Sequence, residues 1–217
     1  MTLKVVVDLG LKQEQKGFLN NIKMRKYLLI AELFAYPSSD LQDSIKACVN
    51  EITNSYPESI RTLSSFEKHL NRLDLGKQEE YYSKTFDVSA QCSMDLGYVI
   101  FGEDYKRGEF LVKMKNEQRL AGHNFEIELA DYLPNVLRLL YYHKNKDFVE
   151  ELAYCITIPA LKEILNKFKD TDNVYREVLV MLLNILEKDF GHSNREQINI
   201  SKEKDNKVFQ KACNVKC

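Results

Sequence analysis

The sequence predicts an all-α fold, and three observations carry that prediction. Glycine and proline are scarce, 8 and 4 in 217 residues, so few positions force a turn and long helices go uninterrupted. From Met24 onwards apolar residues recur three and four apart, the spacing of one helix face. Outside Leu3 to Val7, which have strand-like character, no segment makes a convincing strand. A chain of this length hides about 70% of its unfolded surface on folding, enough for one core. The expectation is therefore a single-domain bundle of about nine helices over residues 24–190. An arm (1–23) precedes it, and a flexible charged tail (191–217) follows.

The elements follow in order. Tyr27, Leu28, Ala31, Leu33, Phe34 and Ala35 gather on one face until Pro37 ends the first helix. Ser38, Ser39 or Asp40 can cap a second, carrying Leu41, Ile45 and Val49. Tyr56-Pro57 breaks the chain before a third with Ile60, Leu63, Phe66 and Leu70. Asp74 and Gly76 mark the next boundary, ahead of an aromatic-rich helix through Tyr81, Tyr82, Phe86 and Val88. A loop over 89–93 leads to a short apolar element at 94–101. Residues 104–121 form a strong helix with Asp104 at its start and Gly122 at its end. Leu129, Leu133, Val136, Leu137, Leu140 and Tyr141 stripe a helix over 129–143, with Pro134 early enough to be tolerated. Two more helices cover 147–156 and 159–169, with Pro159 opening the second. Residues 173–190 are apolar nearly all round (Val178 to Leu183), as a central helix must be, and Gly191 stops them.

Charge and cysteine content exclude several functions. Lys and Arg total 31 against 32 for Asp and Glu, a formal net charge of −1, so no global field draws nucleic acid or an anionic membrane. No apolar run approaches the ~18 residues of a membrane span. Val5-Val6-Val7 is too short for a secretory signal, and a cytoplasmic location is expected. Cys48, Cys92, Cys155, Cys213 and Cys217 are odd in number and scattered, the pattern of free thiols in a reducing compartment. Cys213, Cys217 and His192 offer three loosely spaced ligands where a structural zinc needs four.

No catalytic constellation stands out. His69, His123, His143 and His192 are isolated, outside any His-Glu-x-x-His or Glu-x-x-His spacing. The glycine-bounded Gly102 to Gly108 lacks the Gly-Lys-Ser/Thr ending of a phosphate loop. Two strings remain, Gly102-Glu103-Asp104-Tyr105-Lys106-Arg107-Gly108 and Glu128-Leu129-Ala130-Asp131-Tyr132-Leu133-Pro134. Each joins charge to aromatic and apolar residues where a helix begins. Taken singly, their charges suit helix capping and solvated ion pairs, and Tyr98, Phe101, Tyr105 and Tyr132 suit a core.

Leu33-x-x-Tyr36-Pro37, Tyr82-x-x-x-Phe86-Asp87, the first string, Gly122 and the second string, in that order along residues 24–190, resemble the NarJ branch of the TorD/DmsD/NarJ redox-enzyme maturation chaperones. Two positions depart from the family pattern: Ala130 replaces a proline, and Arg138 stands where a glutamate is common. The resemblance implies a cytosolic all-α chaperone, not an enzyme, monomeric or dimeric. Its partner is the catalytic subunit of a molybdoenzyme of the nitrate reductase α-subunit type, held by its amino-terminal leader while molybdenum cofactor and iron–sulfur clusters are inserted. Those cofactors belong to the client, and none is expected here. The implied peptide groove is lined by Tyr98, Phe101, Tyr105, Tyr132, Leu133 and Leu137. Glu128 and Asp131 would meet basic leader residues, Arg107 would either orient those carboxylates or pair with an acidic client residue, and Asp104 belongs to the same peptide-binding set. A different class of reading makes Asp87, Asp104, Glu128 and Asp131 a carboxylate cluster for a metal or small ligand.

Overall fold

The computed structural model describes residues 24–87, 93–123 and 128–200. The expected arm, the loop over 89–92, Val88, Cys92, Cys213, Cys217 and the tail beyond 200 lie outside the described residues. Helix α1 covers 24–32, followed by α2 (Leu41–Ile52), α3 (Ser59–Leu70) and α4 (Leu75–Phe86). Then come α5 (Leu96–Phe101), α6 (Tyr105–Leu120) and α7 (Leu133–Tyr142). Helix α8 (Lys146–Glu151) runs through a π turn (Leu152–Thr157) into α9 (Ile158–Lys167), and α10 (Val174–Phe190) completes the set. The only β pairing among the described residues is an isolated antiparallel bridge, Asp95 to Tyr132. The all-α expectation holds.

Local chemistry sets several helix ends. Asp74 and Asp104 cap α4 and α6 by accepting from the Lys77 and Lys106 amides. Gly122, at φ +75°, closes α6: its N–H donates to the Arg119 carbonyl, and the His123 N–H to Gln118. That double closure needs a left-handed residue, which glycine supplies without a Cβ penalty. Helix α7 starts later than its apolar stripe suggests, at Leu133 rather than Leu129, because Ala130 to Tyr132 turn to meet the chain before α5.

A hydrophobic cluster extends from α1 to α10. Helix α10 packs on α3, α9 and the π turn, so its broad apolar surface finds neighbours on several sides, as a central helix requires. Tyr175 on α10 has no exposed surface and meets the rings of Phe66, Tyr81, Tyr82 and Phe86 at 5.0–5.8 Å, three of them edge-on. Asp189, near the end of α10, accepts from the Tyr27 hydroxyl at 2.7 Å and from the Tyr56 hydroxyl, and pairs with Lys26 at 2.7 Å. One carboxylate thus ties α1 and the α2–α3 turn to the last helix.

Two expectations near the carboxyl end are corrected. The break before Pro159 is absent: α8 and α9 share one continuous helical path, with i+5 pairing through the π turn. Residues 191–200 were expected to open the mobile tail, yet they lie against α8 and the π turn, where Ile198 and Ile200 pack on the core.

Candidate functional site

The two strings singled out in the sequence meet where α5, α6 and α7 converge. Backbone bonds from Leu96 N–H to the Asp131 carbonyl (3.0 Å) and from Leu133 N–H to the Met94 carbonyl (2.9 Å) flank the Asp95–Tyr132 bridge. They stitch the entry to α5 onto the entry to α7. Asp131 has no exposed surface, and its Oδ2 accepts from the Gly97 N–H at 3.0 Å. A side chain at Gly97 has no room, since a Cβ there stands 2.6 Å from that oxygen.

Arg107, one turn into α6, reaches into the same junction. Its Nη2 donates to Asp95 Oδ2 at 3.1 Å, and its Nε lies 3.8 Å from Asp131 Oδ2. The guanidinium sits 5.4 Å from the centre of the Tyr98 ring, a cation–π distance. Two carboxylates therefore share one cation. Burial pushes the Asp131 carboxyl above its ordinary range and the Asp95 charge adds to that, with Arg107 pulling the other way. Burial also raises Asp95 against the pull of Arg107. Asp131 Oδ1 and Arg107 Nε have no hydrogen-bond partner, so the cluster holds more unmet polarity than an ordinary core ion pair.

A second layer holds this junction. The buried Gln118 amide of α6 donates to the Ala130 carbonyl at 3.0 Å, and Asn135 of α7 donates to the Leu129 carbonyl at 3.0 Å. The Tyr132 and Tyr82 hydroxyls lie 2.9 Å apart, and Tyr82 donates to the Phe34 carbonyl. Arg138 pairs with Glu32 of α1 at 3.0 Å, so an acidic neighbour answers the cation at this position.

The predicted residues divide by exposure. Tyr98 (41%) and Tyr105 (71%) face solvent, as do Glu128 and the neighbouring Leu129. Phe101, Leu133 and Leu137 do not line a groove: they are core, Phe101 against the ring of Phe110 at 5.8 Å. Their helical stripe is buried because it is the face that packs on neighbouring helices. Asp131 cannot meet a leader side chain directly either, since its carboxylate is wholly enclosed. Asp104 serves as a helix cap, and Tyr132 is half-buried in the tyrosine pair. The carboxylates of the metal reading do not gather: among the described residues no group of three or more His, Cys, Asp or Glu is placed to hold a metal ion. Asp95 and Gly97 were missed from the sequence, where they look like the start of an apolar segment.

A cavity of about 1060 Å³ opens elsewhere, lined by Met24, Lys26, Tyr56, Tyr141, Lys188 and Phe190 among others. None of the predicted residues lines it. Lys26 pairs with Asp189 and Glu51 with Arg25, and His143 Nε2 lies 3.0 Å from Glu117 Oε2.

The chain is similar to a NarJ protein. It is 30% identical, over 109 residues, to the probable nitrate reductase molybdenum cofactor assembly chaperone NarJ of Bacillus subtilis strain 168. The match covers 50% of this chain and 58% of that relative's length. No family model matches the chain. No helix among the described residues is long and apolar enough to cross a membrane.

Proposed function

We propose that this chain is a cytoplasmic assembly chaperone, without catalytic activity of its own, for a molybdoenzyme of the nitrate reductase class. It binds the amino-terminal leader of the catalytic subunit and holds that subunit while molybdenum cofactor is inserted. The similarity to a NarJ assembly chaperone carries this reading. The α5–α7 junction supports it: Tyr98, Tyr105, Leu129 and Glu128 are exposed, and apolar and acidic groups are what a surface needs to receive an amphipathic basic helix.

In this reading the buried groups act from beneath. Asp131 and Asp95 hold Arg107, and Arg107 holds the Tyr98 ring, so the cluster positions the contact surface without touching the client. A client that must later leave needs only moderate affinity, a Kd in the micromolar range or near −8 kcal/mol. Two measurements test the proposal. A pull-down from the native cytosol is expected to recover a molybdoenzyme catalytic subunit; a bound protein with no molybdenum-cofactor domain sinks the chaperone reading. Calorimetry with that subunit's leader peptide is expected to show Tyr98→Ala plus Tyr105→Ala weakening binding by roughly tenfold or more, about 1.4 kcal/mol. Unchanged affinity would remove the site from the α5–α7 face.

A further inference from the structure

A segment of the chain covers a gap that Pro159 leaves in the helical hydrogen bonding. Pro159 brings no N–H, so the i+5 partner of the Tyr154 carbonyl and the i+4 partner of the Cys155 carbonyl are both missing. Residues 193–200 fill the gap. Gln197 Nε2 donates to the Tyr154 carbonyl at 3.3 Å and the Ile198 N–H to the Cys155 carbonyl at 3.0 Å. Upstream, Ser193 Oγ donates to Glu150 at 2.6 Å. Arg195 reaches three carboxylates on one face of α8, Asp147 (3.6 Å), Glu150 (3.6 Å) and Glu151 (4.0 Å). Exposure alternates along the segment: Ser193, Arg195 and Gln197 turn inward, and Asn194 and Glu196 outward, before Ile198 and Ile200 pack on the core. This is how an extended peptide binds, with backbone bonds for adhesion and alternate side chains for selectivity.

We infer that the α8–π-turn face is a peptide site for an extended segment bearing an arginine followed three residues later by a β-branched apolar residue. The strap of residues 193–200 is its resident, displaceable occupant. Three features point beyond simple packing. The Arg195 pairs are long and partly exposed, so solvent screens them and they hold the strap weakly. Glu151 is more than nine-tenths buried, and its Oε1 has no hydrogen-bond partner; Lys113 of α6 and Arg195 both favour its charge, yet neither donates to that oxygen. The groups that opening uncovers, two carbonyls lacking helical donors, three carboxylates and an apolar seat, are a matched set for such a segment. The proposal does not depend on the chaperone reading.

The test uses the full chain and a fluorescent synthetic peptide with the sequence of residues 191–200. Arg195→Ala loosens the strap, so the peptide is expected to bind this variant roughly tenfold tighter than wild type, in which the strap competes. Adding Glu150→Gln and Glu151→Gln to that variant, or replacing the peptide's arginine with alanine, is expected to abolish the gain. Equal binding to wild type and Arg195→Ala, or binding indifferent to both glutamates, overturns the proposal. Hydrogen exchange on the unmodified protein tests it without any variant. The Ile198 amide is expected to exchange faster than amides in the middle of α10, through a local opening, and exchange only at the rate of global unfolding makes the strap a fixed part of the fold and overturns the proposal.

Discussion

Replacing Gly97 with alanine sets a methyl carbon 2.6 Å from Asp131 Oδ2, 3.0 Å from Phe110 Cδ1 and 3.3 Å from Arg107 Cγ. None of the three can yield freely. Asp131 is enclosed and hydrogen-bonded to the same residue's amide, Phe110 packs against Phe101, and Arg107 is held by two carboxylates. Overpacking of this kind costs roughly 1–3 kcal/mol. Displacing the carboxylate also weakens a charge-assisted hydrogen bond worth about 1.5–3 kcal/mol. Against these stands a gain of about 0.5–1 kcal/mol from alanine in a helix. The net is a destabilisation of about 2–4 kcal/mol, read in urea as a midpoint lowered by roughly 1–2 M for a slope near 2 kcal/mol/M. Gly108→Ala is the internal control: it is helical, nothing lies within 4 Å of its added carbon, and it is expected to stabilise by about 0.5–1 kcal/mol. If Gly97→Ala shifts the midpoint no more than Gly108→Ala does, the close approach of Asp131 to α5 is wrong.

Asp131→Asn keeps an oxygen for the Gly97 amide and removes the charge. Because the folded carboxyl titrates above its unfolded value of about 4, the unfolded state binds fewer protons between the two, and wild-type stability falls as pH rises through that window. Denaturation from pH 4 to 8 is therefore expected to show the variant gaining on wild type as pH rises; a difference that is flat or of opposite slope refutes the burial argument. Arg138→Glu is expected to cost up to about 1 kcal/mol by facing Glu32 with a like charge, and Glu32→Arg in the same chain to recover most of it. Asn173→Ala removes the cap of α10 together with the bond to Thr85 Oγ1, and thermal melts are expected to show a loss of about 1–3 kcal/mol.

Most of the helices were legible because periodicity is a local signal, and Leu63, Phe66, Val178 and Leu182 carry it plainly. Of the candidate site, only the exposed positions were placed correctly by the sequence. Tyr98, Tyr105 and Glu128 stand out as charge and aromaticity beside helix starts, and they are exposed. Leu133 and Leu137 were assigned to a groove, although an i, i+4 apolar pair on a regular helix is first of all a core stripe. Asp131 could not be placed, because whether a first-turn acid faces water or a neighbouring backbone depends on a pairing with residues 94–97 that no local pattern encodes. The strap had one visible clue, Pro159, whose missing donor requires something to cover the carbonyls behind it. Charged residues in 191–200 masked the alternation that shows how it lies.

The bond from Tyr27 to Asp189 spans 162 residues of sequence. During synthesis the first helix therefore leaves the ribosome long before the carboxylate that satisfies its buried hydroxyl exists. Phe66 likewise waits for Tyr175. Closure of the bundle is a late event set by the last helix, and a nascent chain ending before residue 174 carries these apolar faces uncovered, at a stage when aggregation competes with folding.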